Sequence, residues 1–130
     1  MARSVKLKAW PPALIWYTDR IKGDWSASSN SFVVRIRPRF RHDDGLLRHE
    51  LEHVRQWWML PMLHSVLYML VPRYRLWAEV RAYQAQLRAW PAKDDYYRYL
   101  DHFSEMLANR YRLRISVDEV RGRLRLADSD

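Results

Sequence analysis

The chain has no cysteine among its 130 residues. Disulfides, thiolate zinc sites and cysteine nucleophiles are therefore excluded. A bound metal ion must be held by histidine and carboxylate side chains. The chain also lacks internal repeats and linkers, and its length suits one modest core, so we expect residues 1–130 to form a single domain.

Long apolar runs are missing near the N-terminus. The segment Met1 to Lys8 is basic, but Trp10-Pro11-Pro12 and then Asp19 interrupt the apolar residues before a signal-peptide core could form. Secretion by that route is not expected, and we predict a cytoplasmic protein.

Lysine is scarce and occurs only at Lys6, Lys8, Lys22 and Lys93, so the formal net charge of +8 comes almost wholly from arginine. A basic surface attracts nucleic acid or anionic lipid without specificity. The arginines are scattered along the chain, and coding bias explains such a composition equally well. The charge alone therefore identifies no partner.

The N-terminal third carries strand and turn signals. An apolar segment from Ala13 to Tyr17 precedes the turn signal Lys22-Gly23-Asp24. The serine-rich run from Ser26 to Ser31 favours a reversal between two strands. Residues Phe32 to Phe40 alternate like a half-buried strand, and Pro38 predicts that this strand lies at a sheet edge or ends there.

The chain after Arg41 carries helical signals. Asp43 and Asp44 are capping candidates for a helix from Gly45 to Leu60. Three later helices are predicted: one from about Tyr74 to Trp90 with the stripe Leu76, Val80, Tyr83 and Leu87, one from Asp94 or Asp95 with Tyr96, Leu100, Phe103 and Leu107 facing inward, and a short one capped by Ser116 and Glu119. These signals predict an α+β fold with a small N-terminal mixed sheet followed by a helical half.

Residues 49 to 53 read His-Glu-Leu-Glu-His inside the first predicted helix. His49 and His53 lie one turn apart on the same face, so both imidazoles can reach one ion, and Glu50 lies beside them. Zinc lowers the pKa of its bound water to about 7, and a neighbouring carboxylate can then take the proton and return it to a leaving amine. The motif therefore predicts a Zn²⁺ site with Glu50 as general base. A solvated, salt-bridged helix face with the same letters is the alternative.

A catalytic zinc site needs a third protein ligand and an open position for water. Glu79 is the best candidate, because it lies beside an apolar stripe where a carboxylate requires a partner. Ala78 and Ala82 permit close helix approach at this point. The alternative is a surface glutamate paired with Arg75 or Arg81.

Two further residues are weaker ligand candidates. His64 is the second choice, although a lone histidine in an apolar stretch is more often a hydrogen-bonded core residue. Glu105 is the third, and its polar neighbours indicate solvent. The long metzincin motif is excluded, because it requires glycine and histidine where this chain has Gln56 and Met59.

The run from Leu47 to Trp57, followed a helix later by Glu79 and Ala82-Tyr83, resembles the gluzincins. In size the chain resembles the single-domain minigluzincins and small metallopeptidases predicted in phages and bacteria. The resemblance is tight only over these two helices. It implies a zincin-like fold in which the two histidines and Glu79 hold Zn²⁺, and an edge strand, here Phe32 to Phe40, that binds extended peptide above the zinc helix.

One departure lies one turn after Glu79, where larger gluzincins often place an acidic residue that orients a zinc-binding histidine. This chain has Tyr83 there. A tyrosine can hydrogen-bond a ligand or stabilise an oxyanion, so Tyr83 and, with less support, Tyr74 are candidates for such a role. Simple packing is the alternative for both.

The segment from Trp57 to Val71 is the most apolar part of the chain, and as a helix it is too short to span a bilayer comfortably. Burial is the first expectation. Docking on a membrane surface is the second, because Trp57 and Trp58 beside arginines resemble interfacial anchors.

The sequence as a whole predicts a zinc-dependent peptidase that acts on a peptide or protein substrate. The alternative is a non-catalytic basic module that binds nucleic acid, protein or a membrane surface and keeps a structural or vestigial metal site. Glu50 argues against this alternative, because a structural zinc site has no use for a general base.

Overall fold

Four short strands form a mixed sheet at the N-terminal end of the chain. The computed structural model describes residues 4–89 and 93–125, with the side chains of residues 93–95 excepted. The strands are β1 (Val5–Lys8), β2 (Ala13–Tyr17), β3 (Ala27–Asn30) and β4 (Val33–Ile36), in the order β1-β2-β4-β3. Strands β2 and β4 are parallel, whereas the other two pairs are antiparallel.

Strand β3 corrects one prediction. The chain does not reverse across Ser26 to Ser31, because Ala27–Asn30 pairs with β4 along its whole length. Ala27 is buried, and it packs with the apolar residues beneath the sheet. The reversal is confined to the two residues after β3, where Ser31 adopts a φ of 59°. Pairing with a neighbour therefore outweighs the low strand preference of a serine-rich run.

Strand β4 is shorter than predicted and is not an edge strand. It covers Val33–Ile36 and lies between β2 and β3, so the expectation that Phe32 to Phe40 forms an edge strand is wrong. The alternative, that the strand ends at Pro38, is confirmed. Pro38 ends the strand and begins a short 3-10 helix. Val34 and Ile36 are buried as the alternation predicts, but Phe32 is exposed.

Arg37 holds the loop that leads into β3. Its guanidinium donates hydrogen bonds to the carbonyl oxygens of Asp19, Ile21, Gly23 and Trp25, at distances of 2.7 to 3.2 Å. Hydrogen bonds from a charged donor are stronger than neutral ones. One side chain thus fixes the path of the loop and the position of Trp25 and of the strand that follows it.

Helices make up the rest of the described chain. They are α1 (Asp44–Met59), α2 (Leu63–Leu70), α3 (Pro72–Leu87), α4 (Lys93–Arg110) and α5 (Val117–Leu124). The predicted helix from Gly45 to Leu60 is confirmed within one residue at each end, with the Asp43 carboxylate accepting a hydrogen bond from the Leu46 amide at 2.9 Å. Ser116 caps α5 through the Glu119 amide. The α+β class is confirmed.

Helix α3 begins earlier in the chain than predicted, with Pro72 in its first turn, and it also ends earlier than predicted. Trp90, the predicted last residue, lies outside the described residues. The predicted apolar stripe is also rotated, since Leu76 and Val80 are only partly buried. The fully buried face consists of Ala78, Glu79, Ala82, Tyr83, Gln86 and Leu87. Small residues decide this orientation, because Ala78 and Ala82 let α3 approach α1 closely.

The apolar core has two parts that meet at the contact between α1 and α3. One part joins the sheet to α1 and consists of Ala13, Ile15, Ala27, Val34, Ile36 and Val54. The other joins α3 to α4 and α5 and consists of Tyr83, Leu87, Tyr96, Leu100, Phe103, Leu107, Val120 and Leu124. The inward face predicted for α4 is confirmed. Polar groups buried between α1 and α3 are therefore enclosed by packing on both sides.

The expected burial of the segment from Trp57 to Val71 is wrong for most of its residues. Those that are exposed include Trp58, Met59, Leu60, Met62, Leu63, Val66, Met69, Leu70 and Val71. Within the described ranges, the chain has no helix with the length and apolar character required to cross a membrane.

Candidate metal centre

Helix α1 presents His49 and His53 on its face toward α3. The Asp43 cap fixes where the helix begins, and the four-residue spacing places both rings one above the other. The ring centroids are 5.0 Å apart. Both side chains are buried, with exposed fractions of 5% and 8%.

Helix α3 brings the Glu79 carboxylate to these two rings. Its Oε1 atom lies 3.3 Å from Nε2 of His49 and 3.1 Å from Nε2 of His53. The ligand atoms of the three side chains all lie within 4.8 Å of one another. The sequence-predicted trio is thus brought together in one buried cluster, which we call the His-His-Glu cluster.

The distances in this cluster suit a tetrahedral ion. Two ligand atoms that bind the same tetrahedral zinc ion at about 2.1 Å lie about 3.4 Å apart. The two separations between nitrogen and oxygen are close to that value. They also suit ordinary hydrogen bonds, so the positions of the protons must distinguish the two cases.

Gln56 determines which nitrogen of His53 carries a proton. The Gln56 Nε2 group donates to the Ala78 carbonyl at 3.1 Å and to Glu52 at 3.0 Å. Its Oε1 atom therefore faces Nδ1 of His53 at 3.2 Å and accepts a hydrogen bond from it. With its proton on Nδ1, a neutral His53 presents the lone pair of Nε2 to Glu79, as metal-binding histidines do.

A lone pair that faces a carboxylate oxygen requires a cation between them. In the absence of a metal ion, a proton on Nε2 of His53 fills this position. Burial by itself lowers the pKa of His53, but the charge and hydrogen bond of Glu79 outweigh it and raise the pKa to about 9. Burial likewise raises the pKa of Glu79, and the two histidines outweigh it and hold this pKa far below its ordinary value. The cluster thus holds a proton on His53 at neutral pH, and the same three side chains could hold a metal ion in its place.

Tyr68 of α2 occupies the second oxygen of Glu79. Its hydroxyl donates a hydrogen bond to Oε2, which leaves Oε1 for the histidine side of the cluster. Burial and the Glu79 charge both raise the pKa of Tyr68, so this hydroxyl keeps its proton at neutral pH. Tyr68 therefore fixes the carboxylate in a geometry that offers one oxygen to an ion.

Glu50 lies next to the cluster and is not part of its hydrogen-bond network. One carboxylate oxygen is 3.8 Å from Nε2 of His49, too far for a hydrogen bond, and none of the described residues donates a hydrogen bond to the side chain. The residue is 6% exposed and lines a cavity. A carboxylate in this position is available to a water molecule or substrate in that cavity.

Tyr83 and Tyr74 occupy different surroundings. Tyr83 packs the edge of its ring on His49, with centroids 4.3 Å apart, and its hydroxyl is hydrogen-bonded to that of Tyr111 at 2.8 Å. It supports the ring of a candidate ligand by packing. Tyr74 is hydrogen-bonded to Nδ1 of His64 at 2.6 Å, away from the candidate metal ligands.

The weaker ligand candidates are not in the cluster. His64 lines the cavity, where burial and the nearby positive charge of His53 lower its pKa to about 4. Its Nδ1 atom is already bonded to Tyr74. Glu105 is exposed on α4. Neither side chain approaches the two histidines of α1 as Glu79 does.

The cluster opens into a cavity of about 870 Å³. One wall is edge strand β3, whose residues Ser28, Ser29 and Asn30 lie along it. Aromatic and thioether side chains from α2, α4 and the loop after it also line the cavity: Tyr68, Met69, Tyr99, Phe103, Met106 and Tyr111. The cavity is thus lined partly by apolar side chains and partly by β3, which has no strand partner on its outer side among the described residues.

Sequence reasoning missed Tyr68 and Gln56 as members of the site. Gln56 carried a usable signal, because an amide three residues after a histidine on a helix can reach its ring. Tyr68 carried a weaker one, since it lies one turn after His64 in an otherwise apolar helix. Its contact with Glu79 depends on how α2 packs against α3.

Comparison of the chain with protein-family models, with curated proteins and with solved structures returns no match. The assignment of a function therefore depends on the geometry and chemistry of the site.

The Gln56→Met variant is expected to bind zinc about 10- to 100-fold more weakly, because His53 loses the acceptor that fixes its tautomer. Isothermal titration with zinc measures this change. Gln84→Met is the matched control, since the Gln84 amide bonds only to carbonyl groups near the end of α5. Equal affinities in wild type and Gln56→Met would show that Gln56 does not orient a metal ligand.

Proposed function

We propose that this protein is a zinc-dependent peptidase with a zincin-like fold. The observation that carries the proposal is the convergence of three buried ligand atoms beside a carboxylate, Glu50, that is free to act in a large open cavity. His49, His53 and Glu79 would hold the ion. Zinc bound there supplies a Lewis acid that lowers the pKa of a coordinated water to about 7.

Glu50 performs the proton transfers in this proposal. It accepts the proton of the attacking water as a peptide carbonyl is hydrolysed, and it then delivers that proton to the leaving amine. The position beside Nε2 of His49 places it next to the ligand atoms. None of the described residues donates a hydrogen bond to Glu50, so both of its oxygens are available for proton transfer.

Substrate binding falls to β3 in this proposal. An extended peptide can add to an exposed sheet edge through main-chain hydrogen bonds. Ala27–Asn30 forms such an edge and lines the cavity that holds Glu50. This assigns to β3 the role that the gluzincin resemblance suggested for Phe32 to Phe40, and it makes a peptide or protein the substrate class.

The alternative, a binding module with a structural metal, is less well supported. Structural zinc sites use four protein ligands and leave no open position. In the part of the chain that the structure describes, the cluster has three ligand residues and faces an open cavity. Such a site suits catalysis better than the stabilisation of a basic surface.

Metal removal tests the proposal directly. The purified protein is expected to contain one zinc ion per chain and to cleave an unfolded protein such as casein. Phenanthroline is expected to abolish cleavage, and added zinc to restore it, because the ion is required for water activation. Metal content by plasma emission spectroscopy and release of labelled peptides are the measurements.

Two results would contradict the proposal. Cleavage that persists without metal would remove zinc from the reaction. Stoichiometric zinc without cleavage, accompanied by salt-sensitive retention of DNA or RNA, would favour the binding module instead.

A further inference from the structure

Helix α2 exposes an apolar face to solvent. Four of its residues, Leu63, Val66, Met69 and Leu70, are 50% to 74% exposed, and Met62 before the helix is 85% exposed. Its eight residues include no charged side chain. We call these five residues the α2 outer face.

An apolar helix of this kind is normally covered. No described element of the chain packs over the outer face, whereas the inner face of α2 is occupied. There His64 and Tyr68 line the cavity, and Tyr68 contacts Glu79. Among the described residues the outer face therefore remains open to a binding partner.

The chain on either side of α2 carries basic residues and lacks acidic ones. The sequence has no aspartate or glutamate between Glu52 and Glu79. Arg75 donates its hydrogen bonds to the carbonyls of residues 68, 69, 111 and 112, so its charge meets no carboxylate, and it brings Arg112 beside the end of α2. Arg73 and Arg112 are exposed and form no ion pair with any described residue.

The charge of these arginines distinguishes between occupants. A second copy of a chain with a net charge of +8, docked through the same face, would bring two sets of uncompensated arginines together. An anionic lipid surface instead offers phosphate and carboxylate groups to the arginines and an acyl layer to the apolar side chains. Both features of the face are matched by this one partner.

Three aromatic side chains lie where the end of α1 meets the sheet. Trp57, Trp58 and Phe32 stack with centroid distances of 4.9 to 6.3 Å. The Trp58 ring is 41% exposed, and its indole nitrogen donates to the Pro12 carbonyl, which holds the ring in place. Tryptophan is enriched where proteins meet the boundary between headgroups and acyl chains.

We propose that the α2 outer face docks this protein on anionic membrane surfaces. The helix lies in the interface with Leu63, Met69 and their neighbours among the acyl chains, and with Arg73 and Arg112 among the headgroups. Docking of this kind needs no metal ion, so it is independent of the peptidase proposal. It also places the cavity, which shares Met69 and Arg112 with this surface, next to the lipid.

Vesicle flotation tests the docking. The protein is expected to float with vesicles of phosphatidylcholine and phosphatidylserine, to bind vesicles of phosphatidylcholine alone much more weakly, and to dissociate as salt is raised. The triple variant Leu63→Gln, Met69→Gln, Leu70→Gln is expected to bind at least about tenfold more weakly, because the inserted apolar groups are lost. All three positions are exposed, so the fold tolerates glutamine there.

Two control variants separate the α2 outer face from general effects of composition. The double variant Leu7→Gln, Trp10→Gln removes side chains that are 77% and 73% exposed near β1, and it is expected to bind normally. Arg73→Gln is expected to weaken binding about fivefold. Arg123→Gln, near the opposite end of α3 from Arg73, is expected to leave it unchanged.

Three outcomes would overturn the docking proposal. One is the absence of flotation with phosphatidylserine vesicles at low salt. Another is equal flotation of the triple variant and the wild type. The third is a dimer in analytical ultracentrifugation that the triple variant abolishes, because the face would then be covered by a second copy.

Discussion

Replacement of Glu50 by glutamine is expected to lower peptide cleavage by about 10²- to 10⁴-fold, the usual contribution of a general base. Glutamine has the same shape but cannot accept and return a proton. The Glu50 carboxylate lies beside the cluster and forms no hydrogen bond with any described residue. The substitution therefore removes no hydrogen bond that stabilises the described fold. Zinc content and unfolding midpoint are therefore expected to stay close to those of the wild type.

The measurement is the rate of peptide cleavage at equal zinc occupancy. Glu105→Gln is the matched control, because it makes the same chemical change at an exposed position on α4. Unchanged cleavage by Glu50→Gln would exclude Glu50 as the base. Loss of zinc from this variant would instead make Glu50 a ligand.

The candidate ligands on α1 could be predicted because their geometry is local. A four-residue spacing on a helix fixes the relative position of His49 and His53 whatever the rest of the chain does. The prediction of Glu79 required one further inference. An acidic residue between two alanines lies on a helix face that packs closely, so its carboxylate is buried and needs a partner. The burial of Ala78, Glu79 and Ala82 against α1 supports this inference.

The network around these ligands could not be predicted in the same way. Tyr68 reaches Glu79 only because α2 packs against α3, and Gln56 reaches the Ala78 carbonyl only because α1 does. Neither contact has a sequence spacing that local geometry determines. The same holds for β3, which exists because β4 lies beside it.

The apolar segment from Trp57 to Val71 shows a further limit of pattern reasoning. A short run of apolar residues has the same appearance whether it is buried in a core or left at the surface. The apolar composition predicts burial, whereas most of the segment is exposed to solvent in the structure. Exposure depends on the tertiary packing, and because this segment is exposed it is a candidate docking surface.

Replacement of Glu79 by glutamine is expected to weaken zinc binding by about two orders of magnitude or more. A structural zinc site with four ligands contributes about 10–16 kcal/mol of binding free energy, or roughly 3 kcal/mol per ligand. An amide oxygen is a much poorer zinc ligand than a carboxylate. Isothermal titration measures the change, and Glu105→Gln again serves as the control. Wild-type affinity in Glu79→Gln would remove this residue from the site.

The metal-free protein provides a second test of Glu79, through the pH dependence of its stability. Binding to Glu79 raises the pKa of His53 from 6.5 to about 9, so this pairing stabilises the fold fully below about pH 6.5 and is lost as pH rises through about 9. The pKa of Glu79 is lowered from 4.5, so its stabilisation is present above about pH 4.5 and is lost on acidification. The free energy of unfolding of wild type should therefore exceed that of Glu79→Gln most between about pH 4.5 and 6.5. A difference that does not shrink toward pH 10 would contradict this pairing.

Zinc binding should show the opposite pH dependence, because the ion and the proton compete for Nε2 of His53. At neutral pH the metal-free wild type carries that proton, so zinc must displace it, and the affinity should rise with pH until about pH 9. In Glu79→Gln the proton loses its carboxylate partner and burial disfavours the charged ring. Titrations in two buffers of different ionisation enthalpy should therefore detect about one proton released per zinc in the wild type and fewer in the variant. Equal proton release in wild type and Glu79→Gln would mean that Glu79 does not hold the cation at His53. The prediction that the proton and the metal ion share one site would then be wrong.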